Sequence, residues 1–170
     1  IEGEHFAYLG SIRSKKDLSP TDRATPQYNR TVMPPSFADR AIQSVRRSGT
    51  TAIVGLDPHP ELLPEPYRTG SNGFPDLAGF GRRVLELIEG RVAAVKIQVA
   101  FYEQWGWRGW QALEETAAEG RRRDILLVAD AKRGDIRTTA RAYARTFFPA
   151  FDAVTVHPYL GEDGIRPFLE

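Results

Sequence analysis

Cysteine is absent from the 170-residue sequence, which excludes disulfides and thiolate zinc sites and fits a reducing compartment. Histidine is scarce. His5, His59 and His157 lie far apart, without metal-ligand spacing, so no metal is expected. No hydrophobic run approaches the roughly 18 residues that cross a bilayer, and the first residues lack the basic-then-apolar layout of an export signal. The expectation is a soluble, cytoplasmic protein with no membrane partner. Neither sign of charge prevails, since 23 Lys and Arg face 22 Asp and Glu for a net +1. That balance argues against a nucleic-acid polymer as partner, although Arg46-Arg47 and Arg82-Arg83 make local basic spots. The glycine fingerprints of dinucleotide and P-loop sites, GxGxxG and GxxxxGK[ST], are also missing.

What is present is ordinary for a folded domain, with 41% apolar and 26% charged residues. The first residue is Ile rather than Met, and residues 1–36 show no sustained period, so an irregular tail is expected, stopped by Pro34-Pro35. From Phe37 the pattern changes. Phe37, Ala41, Ile42 and Val45 predict one face of a helix ending at Gly49. Four short apolar runs follow: Thr51 to Asp57, Val92 to Gln98, Ile125 to Asp130 and Ala153 to His157. They read as buried parallel strands. Between them, Asp76 to Glu89, Trp105 to Gly120 and Ile136 to Phe148 read as helices.

The polar ends of the strands, Asp57, Lys96, Asp130 and His157, are spaced by 39, 34 and 27 residues, near the roughly 30 of a βα unit. Without the Rossmann glycines, a (β/α)8 TIM barrel is preferred over a doubly wound sheet. Four units make half of one. The fold class expected is therefore α/β, a partial (β/α)8 barrel over residues 37–170, the N-terminal half of a longer whole.

Working residues of parallel α/β folds gather at the C-terminal ends of strands. Lys96 interrupts an apolar strand, and a lysine so placed requires an anion nearby. Asp130-Ala-Lys132-Arg-Gly-Asp135 supplies it. Side chains alternate along an extended segment, so Asp130 and Lys132 point to one side, with Asp135 past the Gly134 turn. Lys96, Asp130, Lys132 and Asp135 then form a row of alternating charge in which each group keeps its neighbour ionised. Plainer readings exist for each member. Asp135 would be the N-cap of a helix starting at Ile136, Asp57 the start of an Asp-Pro turn, and Lys96 a snorkelling side chain. Arg133-Gly134-Asp135 spells an adhesion tripeptide, but a buried strand end is the wrong place for one. Trp105, Trp107 and Trp110 read as packing residues rather than a base-stacking platform.

Asp130-x-Lys132-x-x-Asp135-Ile136-x-x-Thr139 resembles the signature of the orotidine 5′-phosphate decarboxylase family. The segments Val54 to Leu63, Val95 to Glu103 and Asp152 to Gly161 resemble its longer bacterial branch, and the likeness covers Phe37 to Glu170. The resemblance implies decarboxylation of orotidine 5′-phosphate to UMP, with no metal or cofactor and a homodimer at full length. It implies that Asp57 contacts the ribose hydroxyls and that Lys96 orients the ribose and the neighbouring aspartate. Asp130 would lie against the substrate carboxylate and Lys132 would protonate C6. Asp135, Ile136 and Thr139 would reach the active site of the other subunit. Ile97 and His157 depart from the Pro and Asn expected in that branch. The family's phosphate-binding loop lies outside this sequence, so the chain alone is expected to be nearly inactive. Two alternatives are a magnesium-dependent sugar-phosphate aldolase or decarboxylase of the same superfamily, and a non-catalytic α/β interaction domain.

Overall fold

The computed structural model describes residues 35–70 and 73–170. The expected tail, but for its last two residues, and His5 lie outside the described residues. The first helix, α1 (Phe37–Ser48), starts in a capping box: the Ser36 hydroxyl accepts the Asp39 N–H at 3.2 Å, and the Asp39 carboxylate accepts the Ser36 N–H at 3.1 Å. It ends at Gly49, whose φ of 68° is the left-handed conformation glycine adopts at little cost. Its Ser44 hydroxyl donates to the Ala93 carbonyl at 2.5 Å, and Arg40 and Arg47 pair with Asp152 and Asp124. All three anchors precede strands, so α1 lies across the N-terminal end of the sheet.

That sheet has four parallel strands in the order β1 (Ile53–Leu56), β2 (Ala94–Gln98), β3 (Leu126–Arg133) and β4 (Ala153–Val156). The connections hold α2 (Glu65–Arg68) and α3 (Leu77–Ile88), then α4 (Ala100–Glu103) and α5 (Gly106–Arg122), then α6 (Arg137–Phe147). After β4 comes α7 (Glu162–Ile165), between short 3-10 turns. Each strand is followed by a helix in the next connection, as the βα reading requires, and the architecture is α/β, consistent with a partial barrel. The predicted helices are recovered within about two residues; α4 was not anticipated, since four residues leave no periodic signal.

Alternation along the strands sorts their side chains onto two faces. Leu56, Val95, Ile97, Leu127 and Ala129 point to the helices and are buried against Leu77, Leu85, Leu113, Ala117 and Phe147. Each such Leu or Phe removed from water contributes about 1.5–3 kcal/mol. Gly81 of α3 allows the close approach of α5, because a Cβ there would stand 2.7 Å from the Thr116 side chain. Trp105 packs edge-on against Phe74, Trp110 packs tilted against Phe147, and Trp107 is exposed.

The other face carries Ile53, Lys96, Gln98, Val128, Asp130 and Thr155. The expectation of strands buried on both faces is corrected here: β1 leaves Ile53 59% exposed, and β4 is half-buried throughout. Among the described residues no second layer covers this face. It is the face that bears the charges.

Candidate active site

Register brings the charges together. Gly55 of β1 is paired with Lys96 of β2, Lys96 with Val128 of β3, and Gln98 with Asp130. Lys96 and Asp130, two positions apart along neighbouring strands, therefore share a face as diagonal neighbours, within reach of a long side chain. The Lys96 ammonium donates to Asp130 Oδ2 at 2.7 Å, and the Lys132 ammonium to Oδ1 at 2.6 Å. Thr155 of β4 donates its hydroxyl to Oδ1 at 2.9 Å, and the Gln98 amide reaches Oδ2 at 3.4 Å. Asp130 sits at the centre of four donors. Its side chain is 8% exposed, against 36% for Lys96 and 65% for Lys132.

Burial alone would push the Asp130 carboxyl up, but the hydrogen bonds from Lys132, Lys96 and Thr155 outweigh it and hold the group well below the usual carboxylate range. The carboxylate is thus ionised at any working pH. Lys96 is no snorkelling residue, since its ammonium ends on a buried partner.

Regular alternation along β3 sets Asp130 and Lys132 on one side, and a bulge then shapes the backbone at Lys132. Lys132 has φ of 47°, left-handed, a conformation that costs a non-glycine residue about 1–2 kcal/mol. Pairing between β3 and β4 slips at this point: Ala129 faces Val154, yet Arg133 faces Val156. The bulge leaves Lys132 N–H without a ladder partner, and the Thr155 hydroxyl accepts it at 3.0 Å. Strain at a bulge beside ionisable groups is a recurrent feature of active sites.

Three of the four members of the expected row are brought together. Asp135, past Gly134, forms no ion pair among the described residues; its Oδ1 accepts the adjacent Ile136 N–H at 2.7 Å. Nor does it cap the helix as the plainer reading held, because Ile136 occupies the N-cap of α6 and no side chain bonds there. Ile136 is 64% exposed and Thr139 half-buried on the first turns of α6. Asp57 lies exposed beyond β1, its carboxylate folded back so that Oδ2 is 2.8 Å from where a Cβ on Gly55 would stand. It therefore lies beside the Lys96 row without pairing to it.

The adhesion tripeptide is excluded. Arg133 is 19% exposed, pairs with Glu103 and lies over the rings of Tyr143 and Phe147. Sequence reasoning missed Gln98 and Thr155 as members of the site. Their one signal, a polar residue inside an apolar run such as Ala-Val-Thr-Val, is weaker than that of Lys96, because a neutral side chain does not require an anion. Among the described residues no three His, Cys, Asp or Glu side chains are grouped to hold a metal ion, and no helix is long and apolar enough to cross a membrane.

Comparison with known proteins follows the same lines. Residues 51–170 match the family model described as Orotidine 5′-phosphate decarboxylase / HUMPS family. The orotidine 5′-phosphate decarboxylase of Dehalococcoides mccartyi is 40% identical over 136 residues, covering 79% of this chain and 47% of the relative. That of Streptomyces coelicolor is 46% identical over 125 residues, covering 69% and 43%. The solved structure of Leishmania donovani OMP decarboxylase superposes with a TM-score of 0.64 at 34% identity, covering 79% of this chain and 49% of that one. The chain spans about half the length of the curated relatives it matches.

Proposed function

The chain belongs to the orotidine 5′-phosphate decarboxylase / HUMPS family, and from that premise we propose that the whole protein decarboxylates orotidine 5′-phosphate to UMP in pyrimidine synthesis. The observation that carries the proposal is the Lys96–Asp130–Lys132 triad, two ammonium groups on one buried carboxylate at the C-terminal end of a parallel sheet. As the C6 carboxylate leaves as CO₂, the electron pair of the broken bond stays on C6. Lys132 stabilises that charge and donates the proton that replaces the carboxylate. Asp130 stands against the departing carboxylate and holds Lys132 charged, while Lys96 fixes Asp130 and reaches the ribose. Asp57 takes the ribose hydroxyls. The chemistry as proposed uses side chains alone, with no metal or cofactor.

Asp135, Ile136 and Thr139 contribute to the partner's site in a homodimer; the exposure of Ile136 supports an assembly role. The protein acts in the cytoplasm on a mononucleotide rather than a nucleic-acid polymer. Loss of orotidylate absorbance in the complete protein tests the activity: Lys132→Ala should lower kcat by about 10²–10⁴-fold or more with an unchanged circular dichroism spectrum. Retained turnover would refute the role of Lys132.

A further inference from the structure

Lys132 is held in its strained conformation by something, and its own ammonium, on a flexible and largely exposed stem, is a weak constraint. The residue after it is strongly held. Arg133 sends its guanidinium to the helix side of the sheet, 5.2 Å from the Tyr143 ring centroid and 5.4 Å from that of Phe147. There it pairs with Glu103 of α4. Its Nη1 donates to the Ala131 carbonyl at 3.3 Å. Ala131 and Arg133 flank Lys132, so the side chain of one grips the backbone of the other across the left-handed residue. The Arg133 carbonyl accepts the His157 N–H at 2.6 Å, and a Cβ on Gly134 would stand 3.1 Å from His157 Cβ. The downstream end of the bulge is thereby locked to β4.

We propose that Arg133, anchored by Glu103, Tyr143 and Phe147, is a positioning residue that keeps Lys132 left-handed and its N–H on the Thr155 hydroxyl, which in turn holds Asp130. Relaxation of Lys132 into ordinary strand geometry would dissolve the bulge and take the Lys132 N–H off the Thr155 hydroxyl that also holds Asp130. A planar guanidinium suits the task. It lays a flat face on the rings while separate nitrogens reach Glu103 and the Ala131 carbonyl, a span that the single nitrogen of an ammonium does not cover. The value of this clamp for turnover rests on the proton-donor role proposed for Lys132, but the geometric claim does not.

Nuclear magnetic resonance on the full chain tests it, through the Lys132 HN–Hα coupling and Cα shift, which report the left-handed backbone, and the pH at which the Asp130 carboxyl carbon begins to titrate. In Arg133→Met the left-handed signature should vanish and Asp130 should begin to protonate at a higher pH, in the direction of Lys132→Met. Arg133→Lys separates clamping from charge: it should behave like Arg133→Met, and parent-like behaviour of this variant would overturn the clamp. So would a folded Arg133→Met with both signals unchanged. If that variant fails to fold, Glu103→Gln decides, with a weakened left-handed signature expected and a parent-like spectrum overturning the proposal. These signals do not depend on turnover, so absence of decarboxylation in the complete protein would leave them as they are.

Discussion

Thr155 and Asp130 are joined in a way that couples two strands and a bulge: the Thr155 hydroxyl donates to Asp130 Oδ1 at 2.9 Å while accepting the Lys132 N–H at 3.0 Å. One oxygen thus serves the buried carboxylate and the strained backbone together. Replacement by valine keeps the shape and removes both bonds.

Thr155→Val should accordingly destabilise the chain by about 1–3 kcal/mol, since it strands the Lys132 N–H and takes one donor from the carboxylate. Urea midpoints at neutral pH measure this. Thr155→Ser, which retains the hydroxyl, should recover most of the loss, and a Thr155→Val protein as stable as the parent would remove Thr155 from the site.

Lys96→Met should cost about 1.5–3 kcal/mol, the range for a hydrogen bond to a charged group, because Asp130 keeps Lys132 as a second cation. Asp130 should then begin to protonate at a higher pH than in the parent. Carbon-detected titration distinguishes this from simple loss of packing, which would leave the carboxyl where it was.

Acid sensitivity follows from the depressed Asp130 carboxyl. A group with a lowered folded-state pKa contributes stability that is complete above its unfolded value, about 3.9. That contribution is lost as pH falls through the lower folded value. Unfolding free energy should therefore drop as pH decreases below about 4, and the drop should be shallower in Asp130→Asn. Equal slopes in the two proteins would contradict the assignment.

At the alkaline end the relevant group is Tyr102 of α4, fully buried, whose hydroxyl burial pushes up to about 12. The raised value means that its stabilising contribution is complete below the unfolded value of about 10 and is lost as pH rises toward the folded one. The loss should be about 2–3 kcal/mol between these limits. Tyr102→Phe, which cannot ionise, should abolish that part of the alkaline transition in urea titrations at stepped pH.

The strands and helices were legible because their causes are local. Apolar runs bounded by polar residues marked all four strands, and the 3.6-residue period marked α1, α3, α5 and α6. Lys96 was legible as an anomaly, a charge inside an apolar run whose burial requires an anion. Arg133 was not. The sequence placed it at a buried strand end without naming a partner, because its ring and carboxylate partners come from α4 and α6, brought to it only by the fold. Thr155 and Gln98 were passed over because a neutral polar side chain on a strand carries no obligation until a neighbour claims it.

By itself the sequence determined the order of elements, the parallel sheet and the identity of the charged residues, since these follow from periodicity and from the solvation of charge. Tertiary structure alone decided that three of four expected charges meet, and that Asp130 is the shared partner. It alone made Lys132 adopt a left-handed backbone. The reason is that register between strands and a bulge in one of them are set by contacts across the whole sheet, and a shift of one residue redirects every side chain that follows.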